Sequence, residues 1–523
     1  MGRIEIQSSP TLEGGVSKRF FSNTILNYVG QGFILALTFV TLPYTVHHLG
    51  ADLFGVLALV QVTAGFAGLL NLGIGRALTK YVSELYWKRD FRLINHLFQT
   101  AWTTSLITGV VGLIILIAPR ELIARAFFRG GPEVDAVTTF AIYIAAFGLF
   151  SSILLEVISA IPAALQRFDV CNAINVFVGI IRCLGPVIVL ACGYSIREVL
   201  IVVLGSNLLA VLAFMAASRI LIPGLSLLPR FNWAAFRQLF HFSLPLLSSA
   251  LFSLIIARVD RFILAYYMPL AAVTFFTLPY TIAEKVYTGV ANITVVVLPF
   301  TSELHSIGVH DKVHELYLQS TKIMTLVTLP FTMILLALPG PILQFWIGPE
   351  YAEQGAVVLM LLAAGTFLNA VSGVATATSL GVGRAWIPAA FAFATSVLSL
   401  ISNVALIPFY GIVGAAWAFL LPQLLSAPLF VSVVTRMLNF SLFNLLQRGF
   451  LPPLICGSVQ FAVLFFFRQY VNSLLTLVML CFGSLGLYVV LSFFLVITRH
   501  ERSVLFRMIS WRAEPSASPE TRV

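Results

Sequence analysis

Charge is what this chain has least of. Asp, Glu, Lys and Arg make up 10% of its 523 residues and hydrophobic residues 59%, where soluble domains carry about 25% charge. A water-soluble globular domain is excluded, and the composition is that of an integral membrane protein. Cysteine is scarce as well. The five present (Cys171, Cys183, Cys192, Cys456 and Cys481) fall in or beside apolar stretches, without the spacing of a metal site or a secreted disulfide framework. They read as small packing residues, and no metal or cofactor is expected. A phosphate-cradling P-loop and a nucleophile–base constellation are also missing, so the chain is expected to be neither an ATPase nor another enzyme. The segment 1–22 is polar and holds no apolar stretch ahead of a cleavage site, so no cleaved signal peptide is expected.

What is present is a series of long apolar runs separated by charge, proline and glycine. They predict an all-α integral membrane protein of about 14 transmembrane helices, since each run reaches the length of about 20 residues that a bilayer requires. Period-2 alternation is missing, which argues against a membrane barrel. Most of the 31 Lys and Arg fall on one side when both termini are placed in the cytoplasm, with Arg76–Arg92 and Arg499–Arg522 the most basic segments. The positive balance therefore reflects membrane orientation, and no nucleic-acid partner is expected.

The chain also repeats itself. YVSEL at Tyr81–Leu85 returns as FTSEL at Phe300–Leu304, an offset of 219, and GGPEV at Gly130–Val134 returns as IGPEY at Ile347–Tyr351, an offset of 217. QRF at Gln166–Phe168 returns as GRA at Gly383–Ala385, again at 217. Three matches in order at nearly constant spacing indicate a duplication. Six spans separate the copies, so the halves share an orientation: two parallel six-helix bundles plus a C-terminal helix pair. The expected divisions are a cytoplasmic segment 1–22, an N-terminal bundle 23–219, a C-terminal bundle 220–436, the extra pair 437–498 and a basic cytoplasmic tail 499–523. Parallel repeats of this kind place a substrate site between the halves near the bilayer midplane.

Five charges interrupt the seventh and eighth spans: Arg258, Asp260, Arg261, Glu284 and Lys285. A charge at the bilayer centre costs about 2.5–3.5 kcal/mol on insertion scales, so such residues face protein or a wet cavity. On an ideal helix Ser249, Ser253 and Asp260 fall within about 40° of one another, while Arg258 and Arg261 pair as i,i+3 about 100–160° further round. On the next span Thr277, Thr281, Glu284 and Thr288 form a stripe with Lys285 and Asn292 at its edge. Arg182 and Glu156 are the candidates from the first half. Two readings stay open: a hydrated, net-positive cavity wall, or charges paired for packing with Arg258 and Arg261 snorkelling to the surface.

The run NYVGQGFILALTFVTLPYTVHHLGADLFG, with its small-residue continuation into a basic segment (Gly73–Glu84), resembles polysaccharide-export flippases. These are the Wzx-type O-antigen and teichoic-acid exporters of the multidrug/oligosaccharidyl-lipid/polysaccharide superfamily. The carrying residues are His48–Gly50, Phe54–Gly55 and Gly73–Glu84, then VDRFIL (Val259–Leu264), FFTLPYTIAEKVY (Phe275–Tyr287) and LPFTSEL (Leu298–Leu304). The resemblance implies movement of an undecaprenyl-diphosphate-linked oligosaccharide from the inner to the outer leaflet of a bacterial cytoplasmic membrane, for surface polysaccharide synthesis. Polymerase and ligase proteins would be partners alongside membrane lipid. Under it Arg258, Arg261, Lys285 and Arg182 would attract the diphosphate, and Ser249, Ser253, Thr281, Thr288 and Asn292 would bond sugars. Asp260, Glu284 and Glu156 would balance charge or couple to ions. A lipid II flippase and a cation-coupled multidrug exporter are the alternatives within the superfamily. The multidrug exporter is disfavoured because the first span (Thr24–Tyr44) has no acidic residue. A membrane-embedded polymerase or ligase would need large catalytic loops that the sequence does not offer.

Overall fold

The computed structural model describes the backbone of residues 10–290, 292–497 and 502. Side chains are described from Gly30 onward except at 245, 246, 248–250, 253, 255, 257, 287–293, 295 and beyond 497 apart from 502. Among these residues the structure is helical throughout, without a strand. Ten of the described helices are long and apolar enough to cross a membrane. Two compact units are present, Met1–Thr274 and Phe275–Val523.

Unit 1 contains α1 (Pro10–Ala64), α2 (Ala67–Leu70), α3 (Ile74–Trp87), α4 (Phe91–Ile117), α5 (Arg120–Phe127), α6 (Pro132–Ala164), α7 (Phe168–Ala191), α8 (Ile196–Leu221), α9 (Trp233–Tyr267) and the start of α10 (Leu270–Val290). The sequence predicts two spans where α1 lies, and Gly50, at φ 73 and ψ 170, is the non-helical point that divides them. Only glycine adopts such angles without strain. The turn it makes receives the start of α10. Asp52 Oδ1 accepts from the Ala271 backbone N at 3.1 Å, and Thr274 Oγ1 donates to the Ala51 carbonyl at 2.5 Å. Asp52 thereby satisfies one of the amide groups that every helix N-terminus leaves unpaired. Gly55 permits the approach, because a Cβ there would overlap the Leu270 carbonyl oxygen.

A continuous second span is predicted over 53–75, but the structure breaks it. The chain leaves α1 at Ala64, forms the single turn α2, and passes through Leu72 and Gly73, both at positive φ (55° and 68°), before α3 begins. The sequence GFAGLLNLGIGR supplies the glycines this requires. The core beside the break is α3, α4, α6 and α9, sealed by Ile74, Leu78, Phe98, Ile158, Ile161 and Leu239.

Unit 2 continues α10 and contains α11 (Asn292–Ser306), α12 (His310–Ala337), α13 (Pro339–Trp346), α14 (Pro349–Gly381), α15 (Trp386–Met437), α16 (Leu442–Asn444), α17 (Leu451–Phe467) and α18 (Leu474–Leu495). Gly411, at φ 55 and ψ −131, divides α15 as Gly50 divides α1. The element order reproduces that of unit 1: the start of α12 follows that of α4 at an offset of 219, and the start of α14 follows that of α6 at 217. The charged segment His310–Lys322 runs unbroken into an apolar span as α12, and Lys322 is 8% exposed. Thr321, Thr325 and Thr328 line α12, and Thr325, Thr328 and Thr332 each return their hydroxyl to the carbonyl four residues back. That satisfies polar groups which lipid or core cannot. α17 and α18 pack on α12, fixed by Gln460 Nε2, which donates to the Pro330 carbonyl at 3.3 Å and reaches Ser484 Oγ at 3.4 Å.

Candidate functional site

α9 carries the charges that single it out in the sequence, and it packs against helices of unit 1. Its N-terminus is capped by Asn232, whose Oδ1 accepts from the backbone N of Ala234 and Ala235. The helix then leans on α3 and α4 and, further along, on α2 and α5. Asp260 and Arg261 are 2% and 4% exposed. Asp260 Oδ1 accepts from the Arg261 backbone N at 2.7 Å and stands 3.6 Å from Arg261 Nη1. The carboxylate thus turns back on its sequence neighbour, although an ideal helix sets the two about 100° apart. Its second oxygen, Oδ2, is buried with no hydrogen-bond partner among the described residues. A buried acceptor left in that state carries a desolvation cost of about 1–3 kcal/mol, more when it is charged.

Arg258, half-buried, takes a different course. Its guanidinium lies against Gly65, where a Cβ would come within 2.7 Å of both Cζ and Nε. The break between α1 and α2 therefore provides a surface without side chains on which a flat cation rests. Beside it, Phe66 meets Phe262 edge to face at 5.5 Å, and Phe127 of α5 meets Phe262 at 5.9 Å. These rings border an apolar cavity of about 360 Å³ that also touches Leu70, Leu116 and Leu149.

Glu156 faces the same break from α6. Its main chain and Cγ press on Gly75, and its Oε2 lies 4.0 Å from where a Gly68 Cβ would stand. Asn71 and Arg76 are its polar neighbours. Asn71 is wholly buried and accepts from Ser105 Oγ at 2.8 Å. Asn71 and Ser105 are not legible as site residues from their own sequence context; the glycine-dense run around Asn71 is the available signal. Arg182 points elsewhere, donating from Nη2 to Asn207 Oδ1 at 2.6 Å between α7 and α8.

In unit 2, Glu284 is exposed and Lys285 half-buried on α10, and Thr281 Oγ1 donates to the Thr277 carbonyl at 2.8 Å. Ser249, Ser253, Thr288 and Asn292 lie outside the described side chains, so only their helical backbone is known. Unit 1 thus brings Arg258, Asp260 and Arg261 together on one stretch of α9, while Arg182 sits in a separate pair. No group of three or more His, Cys, Asp or Glu with metal-holding geometry occurs among the described residues.

Comparison with known proteins places this architecture. A family model described as polysaccharide biosynthesis protein matches residues 49–356, more than half of the chain. A Shigella flexneri protein named "Putative O-antigen transporter" is 24% identical over 428 residues, covering 79% of this chain and 97% of its own. Among solved structures, the lipid II flippase MurJ in an inward closed conformation is similar over 93% of this chain and 100% of its own, with a TM-score of 0.71 at 14% identity. An inward-facing multidrug resistance MATE family transporter of the MOP superfamily is similar over 78% of this chain and 94% of its own, with a TM-score of 0.63 at 13% identity. The fold is that of MurJ and the MATE transporters, and the chain belongs to the polysaccharide biosynthesis protein family.

Proposed function

We propose that this multi-pass membrane protein is a flippase for a polyprenyl-diphosphate-linked oligosaccharide, carrying it from the inner to the outer leaflet by alternating access. The observation that carries the reading is the pair of cations held within the α9 span, Arg258 on the Gly65 surface and Arg261 beside Asp260. It is joined to membership in a family of polysaccharide biosynthesis. A diphosphate is a compact anion that guanidinium groups recognise with directed hydrogen bonds. Lys285 is assigned to the same attraction on sequence grounds, with Ser249, Ser253, Thr281, Thr288 and Asn292 as bonding partners for sugars. Asp260, whose buried Oδ2 has no partner among the described residues, is the leading ion-coupling group, and Glu284 and Glu156 are further candidates. Arg182 is assigned a supporting role, since Asn207 already occupies its guanidinium.

The bundle division at 219/220, the extra helix pair 437–498, cytoplasmic termini and an inner-membrane location belong to the same reading. Transport without covalent chemistry follows from it, and polymerase and ligase proteins would receive the product. The relative named "Putative O-antigen transporter" matches this chain over 97% of its own length, which favours an oligosaccharide cargo over the drug cargo of the MATE proteins. The greater fold coverage by MurJ favours lipid II as the second reading.

Leaflet translocation of a lipid-diphosphate oligosaccharide in proteoliposomes tests the proposal, with Arg258→Ala, Arg261→Ala and Lys285→Ala beside the intact protein. Transport by the intact protein and its loss in correctly inserted variants supports the assignment. Full activity in all three would remove these residues from the path, and export of organic cations without lipid movement would replace the function.

A further inference from the structure

A second cationic feature lies far from α9 in the chain, at one end of the unit 2 bundle. A cavity of about 340 Å³ is lined there by His305, His310, His314, Arg384, Leu438 and Asn439, among others. No carboxylate is among the described residues that line it. His305 closes α11, His310 opens α12, and Arg384 sits in the turn between α14 and α15. The cavity therefore collects the end of α11, the start of α12, the turn between α14 and α15 and the end of α15.

The duplicated half serves as an internal control. At the offset of 219, His305 and His310 correspond to Tyr86 and Phe91, which meet edge to face at 6.1 Å in unit 1. In unit 2 the imidazoles of His305 and His310 hold the same edge-to-face relation at 5.7 Å. His314 corresponds to Asn95. Asn95 Nδ2 donates to the Gly224 carbonyl at 3.0 Å, and His314 Nε2 reaches the Leu438 carbonyl at 2.5 Å. Both fasten the chain that leaves the last helix of the repeat. A carbonyl can only accept, so His314 carries its proton on Nε2.

Arg384 corresponds to Arg167 at the offset of 217. Arg167 is neutralised by Asp169 through Nε–Oδ1 at 3.0 Å and Nη2–Oδ2 at 2.9 Å. Two positions after Arg384 stands Trp386 instead of an acid, and no ion pair to Arg384 is found among the described residues. Unit 1 thus has an aromatic pair and a cancelled arginine where unit 2 has an imidazole pair and an uncancelled one. Both ring pairs hold the edge-to-face relation, so that relation does not by itself call for imidazoles. The α12 N-terminus at His310 adds its unpaired amides and positive dipole end to the same space.

We propose that this cavity binds a phosphate or diphosphate group, with Arg384 as the fixed cation and His305 and His310 as N–H donors. His314 is the positioning residue that holds Leu438 and Asn439 in place. The volume is at the lower end for small-molecule sites, enough for a diphosphate but not for an attached oligosaccharide. The ligand is a free phosphate species or the headgroup of a lipid phosphate. The proposal does not depend on transport, since it concerns equilibrium binding.

The test is calorimetric titration of the full-length protein with inorganic diphosphate in detergent. A second titration adds polyprenyl diphosphate to nanodiscs of neutral phosphatidylcholine. His305→Tyr with His310→Phe copies the pair that unit 1 already tolerates, and Arg384→Gln removes the cation. Arg167→Gln is the control in the other half. At least a tenfold loss of affinity in the double variant and in Arg384→Gln, with Arg167→Gln unchanged, is the expected result. Loss seen with both ligands identifies a general phosphate site, and loss seen only in nanodiscs identifies a lipid headgroup. Equal affinity in intact and variant proteins that unfold at the same temperature would overturn the proposal, as would an equal loss in Arg167→Gln or no binding of either ligand.

Discussion

Gly55 and Gly65 stand on the same helix-and-turn segment, and the same change to alanine at each should have opposite consequences. A Cβ at Gly55 would run into the Leu270 carbonyl, with the carbonyl carbon at 3.0 Å. Both partners are backbone, fixed by the Asp52 and Thr274 bonds, so relief requires α10 to move away from the α1 turn. Overpacking of this kind costs about 1–3 kcal/mol, and the loosened bonds at Ala271 and Ala51 raise that by about 1 kcal/mol. For a unit of this size 1 kcal/mol corresponds to about 2–4 °C, so Gly55→Ala should lower the unfolding temperature by about 4–16 °C. At Gly65 the atoms met are Cζ, Nε and Nη1 of Arg258, at 2.7, 2.7 and 2.9 Å. These belong to the end of a flexible side chain, which can swing aside for about 1 kcal/mol of rotamer strain. By the same conversion Gly65→Ala should unfold within about 4 °C of the intact protein, yet displace the guanidinium without removing its charge. Thermal unfolding in detergent and lipid translocation in proteoliposomes, run on both variants, read the two effects separately. If Gly65→Ala transports as the intact protein does, the position of Arg258 is immaterial and its role in the path falls. If Gly55→Ala is as stable as the intact protein, the close approach of α10 is misjudged.

Removing one member of the buried Asp260–Arg261 pair should be asymmetric. Arg261→Ala leaves a buried carboxylate without its cation and should cost about 3–5 kcal/mol, whereas Asp260→Asn keeps an acceptor for the Arg261 amide and should cost less; detergent melting curves compare them. Gln460→Leu deletes the bonds to Pro330 and Ser484 and should loosen α17 from α12 by about 1–2 kcal/mol, seen as faster amide exchange confined to α17 and α18. Asn95→Leu removes both the donation to Gly224 and the acceptance from the Ser226 amide at 2.9 Å. It should lower stability by about 1–3 kcal/mol and make the 222–232 connection the first site cut in limited proteolysis.

Much of the fold is legible in the sequence because membrane helices announce themselves through length and apolarity, and duplication through spacing. The offsets of 217 and 219 read from three short matches are the same offsets that separate the starts of α6 and α14 and of α4 and α12. The break at α2 is not legible, since GFAGLLNLGIGR is apolar enough to pass for continuous helix and glycine is tolerated in membrane helices. Lys322 reads with its polar neighbours because charge marks segment ends on average, while the structure buries it within α12. At the site, intramembrane charge points to the right helix, but partners depend on side-chain torsions that no helical wheel contains. The turn of Asp260 towards Arg261 and the rest of Arg258 on Gly65 are both of that kind. Arg182 shows the same limit: Asn207 is an ordinary amide in an apolar run until the two helices are side by side.

The tie between Asp52 and Ala271 has a consequence for synthesis. The amide that Asp52 caps is encoded 219 residues later, and the hydroxyl that reaches Ala51 comes 223 residues later. At about 5–20 residues per second, the ribosome needs about 10–45 s to deliver them. Until then the first turn of the nascent chain has a carboxylate and a carbonyl with no partners, and Gly55 presents a bare patch of backbone. A chain stopped after α8 would hold every helix expected of the first repeat and still lack the segment that closes it.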